Sequence, residues 1–496
     1  MTLQDCLIAY DEKTPSHVFL RDEKESYTIH ETRLFVENFT RSLSSSGIQA
    51  QDLVALKADR TKETFLLFLA LQALGAISLL TDAHLSIQDY LAKEKIHLKP
   101  AFQIEKDSQG QLRLSDTKGH QVPLIFSQKT NPDAKPFSEI CSQDGSVGTI
   151  LIHTSGSTGK AKGVFLSQEA FIRNSQDTFA LADYRPDDVA LAFLPFHHVF
   201  GLALGITALV NQHSLFFPSV TDPLALVKAI QTYGVTRMNG VPTLYLDMAK
   251  AKTENHLPLT CLRTGLIGGG PWTESQFGWI EKTLGIHLIP VYGMSECIAI
   301  SCGRSQDPLT YRQGSVGPFY PQNEGLFLGP DGSRLPLGQT GEIAVKSPFM
   351  MTDYYQDPEE TKACFTKDGY LLTGDLGYLD KLGFLHLCGR RKDLIIRAGE
   401  NIAPLAVENA LLSLDGIEQA CVFAVPSFRL GEKVSCAVVL KKGSSLTVRQ
   451  IQEALKPLLT KNEIPETIHL LGKLPLLASG KVDKQSLKET YAADGK

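Results

Sequence analysis

The chain has 496 residues, of which 43% are hydrophobic and 21% charged, and its formal net charge is −5. Such a length allows roughly one to four domains with a large core, and the composition is that of an ordinary globular protein. The slightly acidic balance provides no basic field, so nucleic acid is excluded as the main partner. The nine cysteines have no Cys-x-x-Cys pair, which indicates reduced thiols and predicts a cytoplasmic location.

The longest apolar run, residues 65–80, is interrupted by Gln72 and Gly75. It falls short of the ~20 residues that cross a bilayer, so a buried helix is predicted and no transmembrane segment is expected. The first residues lack the basic flank and apolar core of a signal peptide. Contact with a membrane surface stays open as an alternative.

Strand-like and helix-like segments alternate over the first third of the chain. The predicted strands are residues 26–29, 53–56 and 75–80, and the predicted helices are residues 32–46 and 62–74. This alternation predicts an α/β fold of layered elements with parallel strands. The polar stretch 103–144 is expected to be a peripheral loop.

A loop rich in glycine and hydroxyl side chains, residues 153–163, follows the apolar strand 147–152. Its glycines allow backbone N–H groups to approach an anion closely, and its hydroxyls with Lys160 and Lys162 suit a polyphosphate. It is not a Walker A loop, because no glycine stands five positions before Gly159. Considered alone, such a stretch is more often a solvated surface loop.

An apolar strand near residues 190–194 breaks at Pro195 into a turn that carries two histidines, and an apolar helix follows as far as Val210. One interpretation is a lining for an apolar substrate. A core histidine with a satisfied ring nitrogen is an equally good interpretation of this segment alone. On the next predicted strand, Arg237 is expected to be a surface arginine, with a second carboxylate of a diacid as its alternative partner.

Three further strand ends carry residues that suit a nucleotide. One strand ends in the glycines 268–270, which would let a flat ring lie against bare backbone. Another is followed by Tyr292, which can stack on a base, and by Ser295 and Glu296, whose hard oxygens can hold magnesium. Asp375, predicted at a strand end, can accept hydrogen bonds from a ribose diol.

The charge cluster 389–393 runs into an apolar strand and marks a domain junction. We divide the chain into an N-terminal domain of residues 1–391, a hinge at Lys392 and a C-terminal domain of residues 393–496. Helices at 405–414 and 448–459 and strands at 418–425 and 434–440 predict a small α+β domain. A flexible loop near its end presents Lys481.

Taken in order, these segments resemble the adenylate-forming superfamily, which contains acyl-CoA synthetases, luciferases and amino-acid adenylation domains. The motifs are TSGSTGKAKG, PFHHVFG, GGGP, YGMSE, TGD, GRRKD and SGKVDK. The resemblance implies a large N-terminal domain of layered α/β subdomains with a small mobile C-terminal α+β domain. It also implies two steps: a carboxylate attacks the α-phosphate of ATP with release of pyrophosphate, and a thiol, by default that of CoA, then displaces AMP.

The resemblance also assigns roles to individual residues. The catalytic residues would be Lys481, Glu296 and His198, with Glu296 as the ligand of Mg²⁺. The ATP- and AMP-binding residues would be Thr154, Ser155, Gly156, Ser157, Thr158, Gly159, Lys160, Gly268, Gly269, Gly270, Tyr292, Gly293, Ser295, Asp375 and Arg390. Phe196, Val199 and Phe200 would line the acyl pocket. Lys392 would be the hinge, and Gly399, Glu400 and Asn401 would face the thiol channel after the small domain rotates.

The segment 193–210 narrows the choice of acid, because it contains no Asp or Glu to pair with the ammonium of an amino acid. The turn looks most like that of fatty-acyl-CoA synthetases, which favours a medium- or long-chain fatty acid. Alternatives are an aryl acid of the coumarate or benzoate type, an acyl carrier protein as thiol acceptor, and a non-catalytic nucleotide-binding protein. The chain would act as a monomer or a homodimer.

Overall fold

The computed structural model describes residues 1–107, 109–124, 137–141, 144–154, 161–475 and 482–491. The strands are β1 (Val18–Arg21), β2 (Ser26–Thr28), β3 (Leu53–Ala58), β4 (Ile77–Asp82), β5 (Phe102–Lys106), β6 (Leu112–Asp116), β7 (Gln121–Pro123), β8 (Gly148–Thr154), β9 (Lys162–Ser167), β10 (Val189–Leu191), β11 (Ser214–Phe216), β12 (Arg237–Gly240), β13 (Thr264–Ile267), β14 (His287–Met294), β15 (Cys297–Cys302), β16 (Glu324–Leu328), β17 (Gly341–Lys346), β18 (Asp353–Tyr354), β19 (Leu371–Leu379), β20 (Leu385–Arg390), β21 (Ile395–Arg397), β22 (Glu400–Ile402), β23 (Ile417–Ser427), β24 (Gly431–Leu440) and β25 (Thr467–Leu471). The helices are α1 (Leu3–Lys13), α2 (Ile29–Ser45), α3 (Lys62–Leu74), α4 (Ile87–Lys93), α5 (Phe137–Ile140), α6 (Gln168–Leu181), α7 (Val199–Asn211), α8 (Pro223–Tyr233), α9 (Pro242–Glu254), α10 (Glu274–Leu284), α11 (Leu309–Gly314), α12 (Pro358–Ala363), α13 (Pro404–Ser413), α14 (Val448–Leu455) and α15 (Lys484–Tyr491).

One eight-stranded sheet has the order β15-β14-β13-β12-β10-β11-β1-β2. Strands β1, β11, β10, β12, β13 and β14 are parallel, and only the two edge pairings are antiparallel. The carboxyl ends of the parallel strands therefore meet along one edge, which is where ligands bind in open α/β sheets. The histidine turn, the glycine run and the tip of the β14–β15 hairpin all follow strands of this sheet.

A second eight-stranded sheet has the order β18-β9-β8-β4-β3-β5-β6-β7. Its strands β5 to β7 lie in the stretch 103–144, for which a peripheral loop was predicted, and that prediction is wrong for the described residues. The three strands pair antiparallel at the edge of the sheet. Few of their side chains are buried, Ile104 and Leu114 among them, so their composition is as polar as that of a loop.

The apolar run 65–80 is split between a buried helix and a buried strand, as predicted. Thr61 caps α3 by accepting a hydrogen bond from the Thr64 N–H, and Gly75 ends the helix in a left-handed conformation at φ 72°. The chain then returns as β4 in the core of the second sheet. Among the described helices none has the length and apolar character needed to cross a bilayer.

A four-stranded antiparallel sheet, β16-β17-β19-β20, leads to the small C-terminal domain. A 3₁₀ turn at Arg391–Asp393 separates β20 from β21. Beyond it, β22-β21-β24-β23 and the parallel strand β25 pack against α13 and α14 around a separate apolar core. The fold is therefore a large α/β domain followed by a small α+β domain.

Cysteine packing follows the sequence-based expectation. Cys297 and Cys302, the closest pair along the chain, are both buried, and neither forms a disulfide. Burial raises the pKa of each thiol to about 12, so both behave as small apolar groups.

Candidate nucleotide and acyl site

The predicted phosphate loop joins two strands of an antiparallel hairpin. Thr154 at the end of β8 is the cross-strand partner of Lys162 at the start of β9. Ser155, Gly156, Ser157, Thr158, Gly159 and Lys160, together with Lys481, lie outside the described residues. The Lys162 ammonium is 2.5 Å from the Glu360 carboxylate and 5.0 Å from the ring centre of Tyr354.

Glu296 lies at the tip of the hairpin between β14 and β15, beside Ser295. Its side chain is buried, and Oε1 accepts a hydrogen bond of 2.7 Å from the Tyr354 hydroxyl. Burial and the Glu296 charge raise the pKa of Tyr354, so this hydroxyl stays a donor. In the part of the chain that the structure describes, no lysine or arginine forms an ion pair with Glu296.

A buried carboxylate without a basic partner suits a cation. No group of three His, Cys, Asp or Glu side chains that could hold a metal occurs among the described residues. A magnesium ion here would therefore be bound by the Glu296 carboxylate together with water and phosphate oxygens, which is the ligand set that Mg²⁺ commonly takes. Tyr354 connects this carboxylate to Lys162 at the base of the phosphate loop.

Tyr292, Asp375 and Arg390 form one hydrogen-bonded cluster. The Tyr292 hydroxyl donates to Asp375 Oδ2 at 2.7 Å, and Arg390 Nε is 3.0 Å from Asp375 Oδ1. Burial and Asp375 raise the pKa of Tyr292 well above its ordinary value. Asp375 lies within β19 rather than at a strand end, directly opposite Arg390 on β20. A carboxylate has about four acceptor positions, so two are left for a ribose diol.

The glycine run lies beside Tyr292 because β13 and β14 are neighbours. A Cβ on Gly268 would lie 2.6 Å from the carbonyl oxygen of Val291, and Gly269 has φ +76°. Gly293 is equally constrained, since its Cβ would lie 2.4 Å from the carbonyl oxygen of Ile298. Gly268 is therefore buried against β14, whereas Gly269 is exposed and Gly270 is partly exposed on the chain that follows β13.

The histidine turn, residues 195–198, is anchored to the hydrophobic core by Phe196. Phe196 is only 2% exposed and packs against Phe65 at 5.6 Å and Phe217 at 6.1 Å, so it belongs to the hydrophobic core. Val199 and Phe200, which begin α7, are partly buried. His198 is exposed and precedes them as the N-cap residue of that helix.

Arg237 is buried, so the expectation of a surface arginine is wrong. It is fully buried, with Nη1 3.2 Å from Asp188 Oδ2 and the guanidinium 3.0 Å from the ring centre of Tyr184. Arg263 pairs with the same carboxylate at 3.0 Å. Because its charge is neutralised inside the protein, Arg237 is not available for a carboxylate of a substrate.

The turn with the candidate hinge follows directly after Arg390 of the nucleotide cluster, and the candidate thiol-channel residues belong to the small domain. Lys392 lies in the 3₁₀ turn with its side chain exposed, and its pKa is lowered by desolvation from nearby protein atoms and by the neighbouring Arg390. Gly399, Glu400 and Asn401 are exposed in the β21–β22 hairpin, where Glu400 accepts a hydrogen bond of 2.8 Å from Asn462 of the same domain. Lys250 and Glu418 form an ion pair of 2.5 Å between the two domains.

Two members of the site were missed from the sequence. Tyr354 holds Glu296, and Glu360 holds Lys162. Neither stands in a motif, and both are far along the chain from their partners. Only the pairing of the short strand β18 with β9 brings them to the phosphate loop.

Comparison with known proteins identifies two matching families. The model of the AMP-binding enzyme family matches residues 9–355, and that of the AMP-binding enzyme C-terminal domain matches residues 406–481. The chain is 30% identical over 482 residues to a 2-succinylbenzoate–CoA ligase of Bacillus cytotoxicus, with 96% of both chains covered. It is 33% identical over 343 residues to a mitochondrial medium-chain acyl-CoA ligase of Danio rerio, with 68% of this chain and 57% of that protein covered.

Solved structures show the same fold. ATP-bound MatB from Rhodopseudomonas palustris superposes with a TM-score of 0.85 at 24% identity, covering 100% of both chains. The o-succinylbenzoate CoA synthetase MenE from Bacillus subtilis, in complex with its acyl-adenylate intermediate, superposes with a TM-score of 0.81 at 24% identity and 97% coverage of both chains.

Proposed function

The chain belongs to the AMP-binding enzyme family, and from that premise we propose that it activates a carboxylic acid with ATP and transfers the acyl group to the thiol of CoA. As an AMP-forming acid–thiol ligase it uses ATP, Mg²⁺ and CoA. The acid's carboxylate attacks the α-phosphate, pyrophosphate leaves, and the thiol then displaces AMP from the acyl-adenylate. Because both reactants of the first step are anions, positioning and charge neutralisation dominate its catalysis.

The observation that carries this proposal is the grouping of nucleotide-binding residues along two connected networks. Tyr292, Asp375 and Arg390 form one network, and Glu296 stands four residues after Tyr292 on the same hairpin. Glu296 leads through Tyr354 to the base of the phosphate loop. These contacts support our assignment of base, ribose and phosphate sites to one continuous set of residues.

We assign the residues as follows. The glycines 268–270 and Tyr292 bracket the adenine, and Asp375 with Arg390 binds the ribose. Thr154, Ser295 and the loop 155–160 bind phosphates. When bound at Glu296, Mg²⁺ neutralises phosphate charge. Lys481 supplies a point charge between the carboxylate and the α-phosphate, and His198 borders the acyl group.

The second step would require the small domain to rotate about Lys392. The hairpin with Gly399, Glu400 and Asn401 is held to its own domain by the hydrogen bond from Asn462 to Glu400, which is consistent with its moving as part of that domain. One exposed ion pair, Lys250–Glu418, is a weak tie between the domains. Rotation at a few backbone positions is a common device of such enzymes.

For the acid, we favour an aromatic acid related to 2-succinylbenzoate, because similarity to ligases of that name extends over 96% of both chains. A medium- or long-chain fatty acid is the second candidate. It is supported by the apolar helix α7 behind the turn and by the similarity to the medium-chain ligase.

The test is pyrophosphate release with ATP, Mg²⁺ and a panel of aromatic, fatty and amino acids, each with and without CoA. We expect release with an aromatic acid and a thioester only when CoA is present. Release only with fatty acids would replace the aromatic candidate. Acid-dependent release without a CoA thioester would point to a carrier protein as acceptor, and no release with any acid would contradict the proposed activity.

A further inference from the structure

Arg60 is a partly buried cation beside the histidine turn. It follows β3, at the carboxyl end of a parallel strand of the second sheet. Its Nη1 donates to the carbonyl oxygen of Phe193 at 3.3 Å, and its guanidinium lies 4.9 Å from the centre of the Phe193 ring. Phe193 begins the segment that leads to His198. Arg60 therefore contacts the chain segment that we assign to the acyl group.

No described carboxylate forms an ion pair with Arg60. The neighbouring Asp59 is engaged elsewhere, with Lys106 at 2.7 Å and with the hydroxyls of Thr61 and Thr64. Burial lowers the pKa of the Arg60 guanidinium. The buried Arg237, in contrast to Arg60, forms an ion pair with Asp188.

Further polar groups come from both large sheets. Asp82 ends β4 in the same sheet as β3 and His84 follows it, while His197 and His198 lie in the turn after β10 of the other sheet, with their rings 4.2 Å apart. Burial and His198 lower the pKa of His197 to about 3, and Arg60, His84 and Asp82 are close enough to contribute. His197 is thus a neutral imidazole, and its buried Nδ1 has no hydrogen-bond partner among the described residues.

We propose that Arg60, with His197 beside it, binds a second anionic group of the carboxylic acid, remote from the carboxylate that is activated. This assignment rests on the proposed function and names its substrate class: a dicarboxylic acid with an apolar body. A guanidinium can grip a carboxylate through two parallel hydrogen bonds, and a neutral imidazole adds a donor without adding charge. Arg60 would thereby bind the second carboxylate of a diacid, for which the buried Arg237 is unavailable.

The experiment is acid-dependent ATP–pyrophosphate exchange without CoA, which isolates the first step. Each diacid is paired with the monoacid that lacks the second carboxylate: 2-succinylbenzoate with 4-oxo-4-phenylbutanoate, and dodecanedioate with laurate. For the wild type we expect kcat/KM to be higher with the diacid of at least one pair. Arg60→Gln should lower that diacid-to-monoacid ratio roughly 10- to 100-fold, as expected for loss of a charge-assisted pair. Arg60→Lys should restore part of the ratio.

Arg21 provides the matched control. It also donates to a backbone carbonyl, that of Tyr233 at 2.6 Å, and lies 5.9 Å from an aromatic ring centre, that of Phe216. Arg21→Gln should leave the ratio unchanged, and the thermal midpoints of both variants show whether they are folded. A wild type that prefers the monoacid of both pairs, or an Arg60→Gln loss of kcat/KM that is equal for diacid and monoacid, overturns the assignment while leaving the ligase activity in place. Absence of exchange with every acid would instead contradict the proposed function.

Discussion

Replacing Asp375 by asparagine tests the nucleotide site most directly, because the substitution keeps the shape and removes the charge. A charge-assisted hydrogen bond contributes about 1.5–3 kcal/mol and a neutral one about 0.5–1.5 kcal/mol, so the Tyr292 bond should weaken by about 1 kcal/mol. The Arg390 pair adds at most about 1 kcal/mol, since 55% of that side chain is exposed. The free energy of unfolding should therefore fall by about 2 kcal/mol.

Nucleotide binding should weaken as well. A ribose hydroxyl that donates to the amide oxygen instead of a carboxylate loses about 1–1.5 kcal/mol, which raises the Kd for AMP roughly tenfold. Calorimetric titration with AMP measures the affinity, and urea unfolding measures the stability. Asp380→Asn is the control, because Asp380 pairs with His386 at 3.2 Å beside the same two strands without joining the Tyr292 cluster.

Comparing the AMP affinity with the stability distinguishes a role of Asp375 in ribose binding from a purely structural role. If Asp375→Asn lowers stability as calculated but binds AMP with the Kd of the wild type, the carboxylate only holds Tyr292 and Arg390 in place, and the ribose assignment is wrong. Arg390→Gln and Arg391→Gln sharpen the comparison, since the second arginine pairs with Glu342 at 2.7 Å instead. Only the first of these two substitutions should weaken AMP binding.

Three other predictions concern the metal, the hinge and a buried histidine. Glu296→Gln should raise the Mg²⁺ concentration for half-maximal pyrophosphate release about tenfold or more, and Tyr354→Phe should have a smaller effect in the same titration. Equal magnesium dependence in all three proteins would remove Glu296 as a ligand. Lys392→Pro should spare acid-dependent exchange and block thioester formation, and an unchanged overall rate would refute the hinge. Burial lowers the pKa of His213 from 6.5 to about 3, so its contribution to stability is complete above pH 6.5 and is lost as the pH falls towards 3. Between pH 7 and pH 5 the wild type should therefore lose about 2 kcal/mol more unfolding free energy than His213→Phe. Urea unfolding at the two pH values measures this difference. An equal loss in both proteins would contradict the lowered pKa of His213.

Elements with their own start and stop signals were predictable from the sequence. Helix α3 extends from Lys62 to Leu74 as predicted, because a threonine cap and a left-handed glycine define its ends locally. Strands β5 to β7 carry no such signals. At a sheet edge their identity depends on backbone pairing with a neighbour, and a single buried side chain in each of β5 and β6 leaves no alternation to detect.

The sequence assigns residue types to the candidate site, but it does not indicate which side chains contact each other. Tyr292 and Asp375 were each assigned to the nucleotide, yet nothing local indicates that they bond to each other across 83 positions. Arg237 was misplaced for the same reason, since Asp188, its counter-ion, is 49 positions away. Arg60 stands in no motif, and it becomes noticeable only when the structure shows that Asp59, its neighbour, pairs with Lys106 instead.

Strand β20 connects nucleotide binding with the proposed rotation of the small domain. Its last residue, Arg390, holds Asp375, and the turn with Lys392 begins immediately afterwards. Under the proposed function, a bound ribose restrains the Asp375 carboxylate, which in turn restrains Arg390. Because Arg390 directly precedes the turn with Lys392, the bound nucleotide also restrains the start of the hinge. Linkage requires the reverse as well: a rotation that displaces Arg390 weakens the hold on the nucleotide. The enzyme would therefore loosen its grip on AMP in the orientation that makes the thioester, so that product release follows from the geometry of one strand.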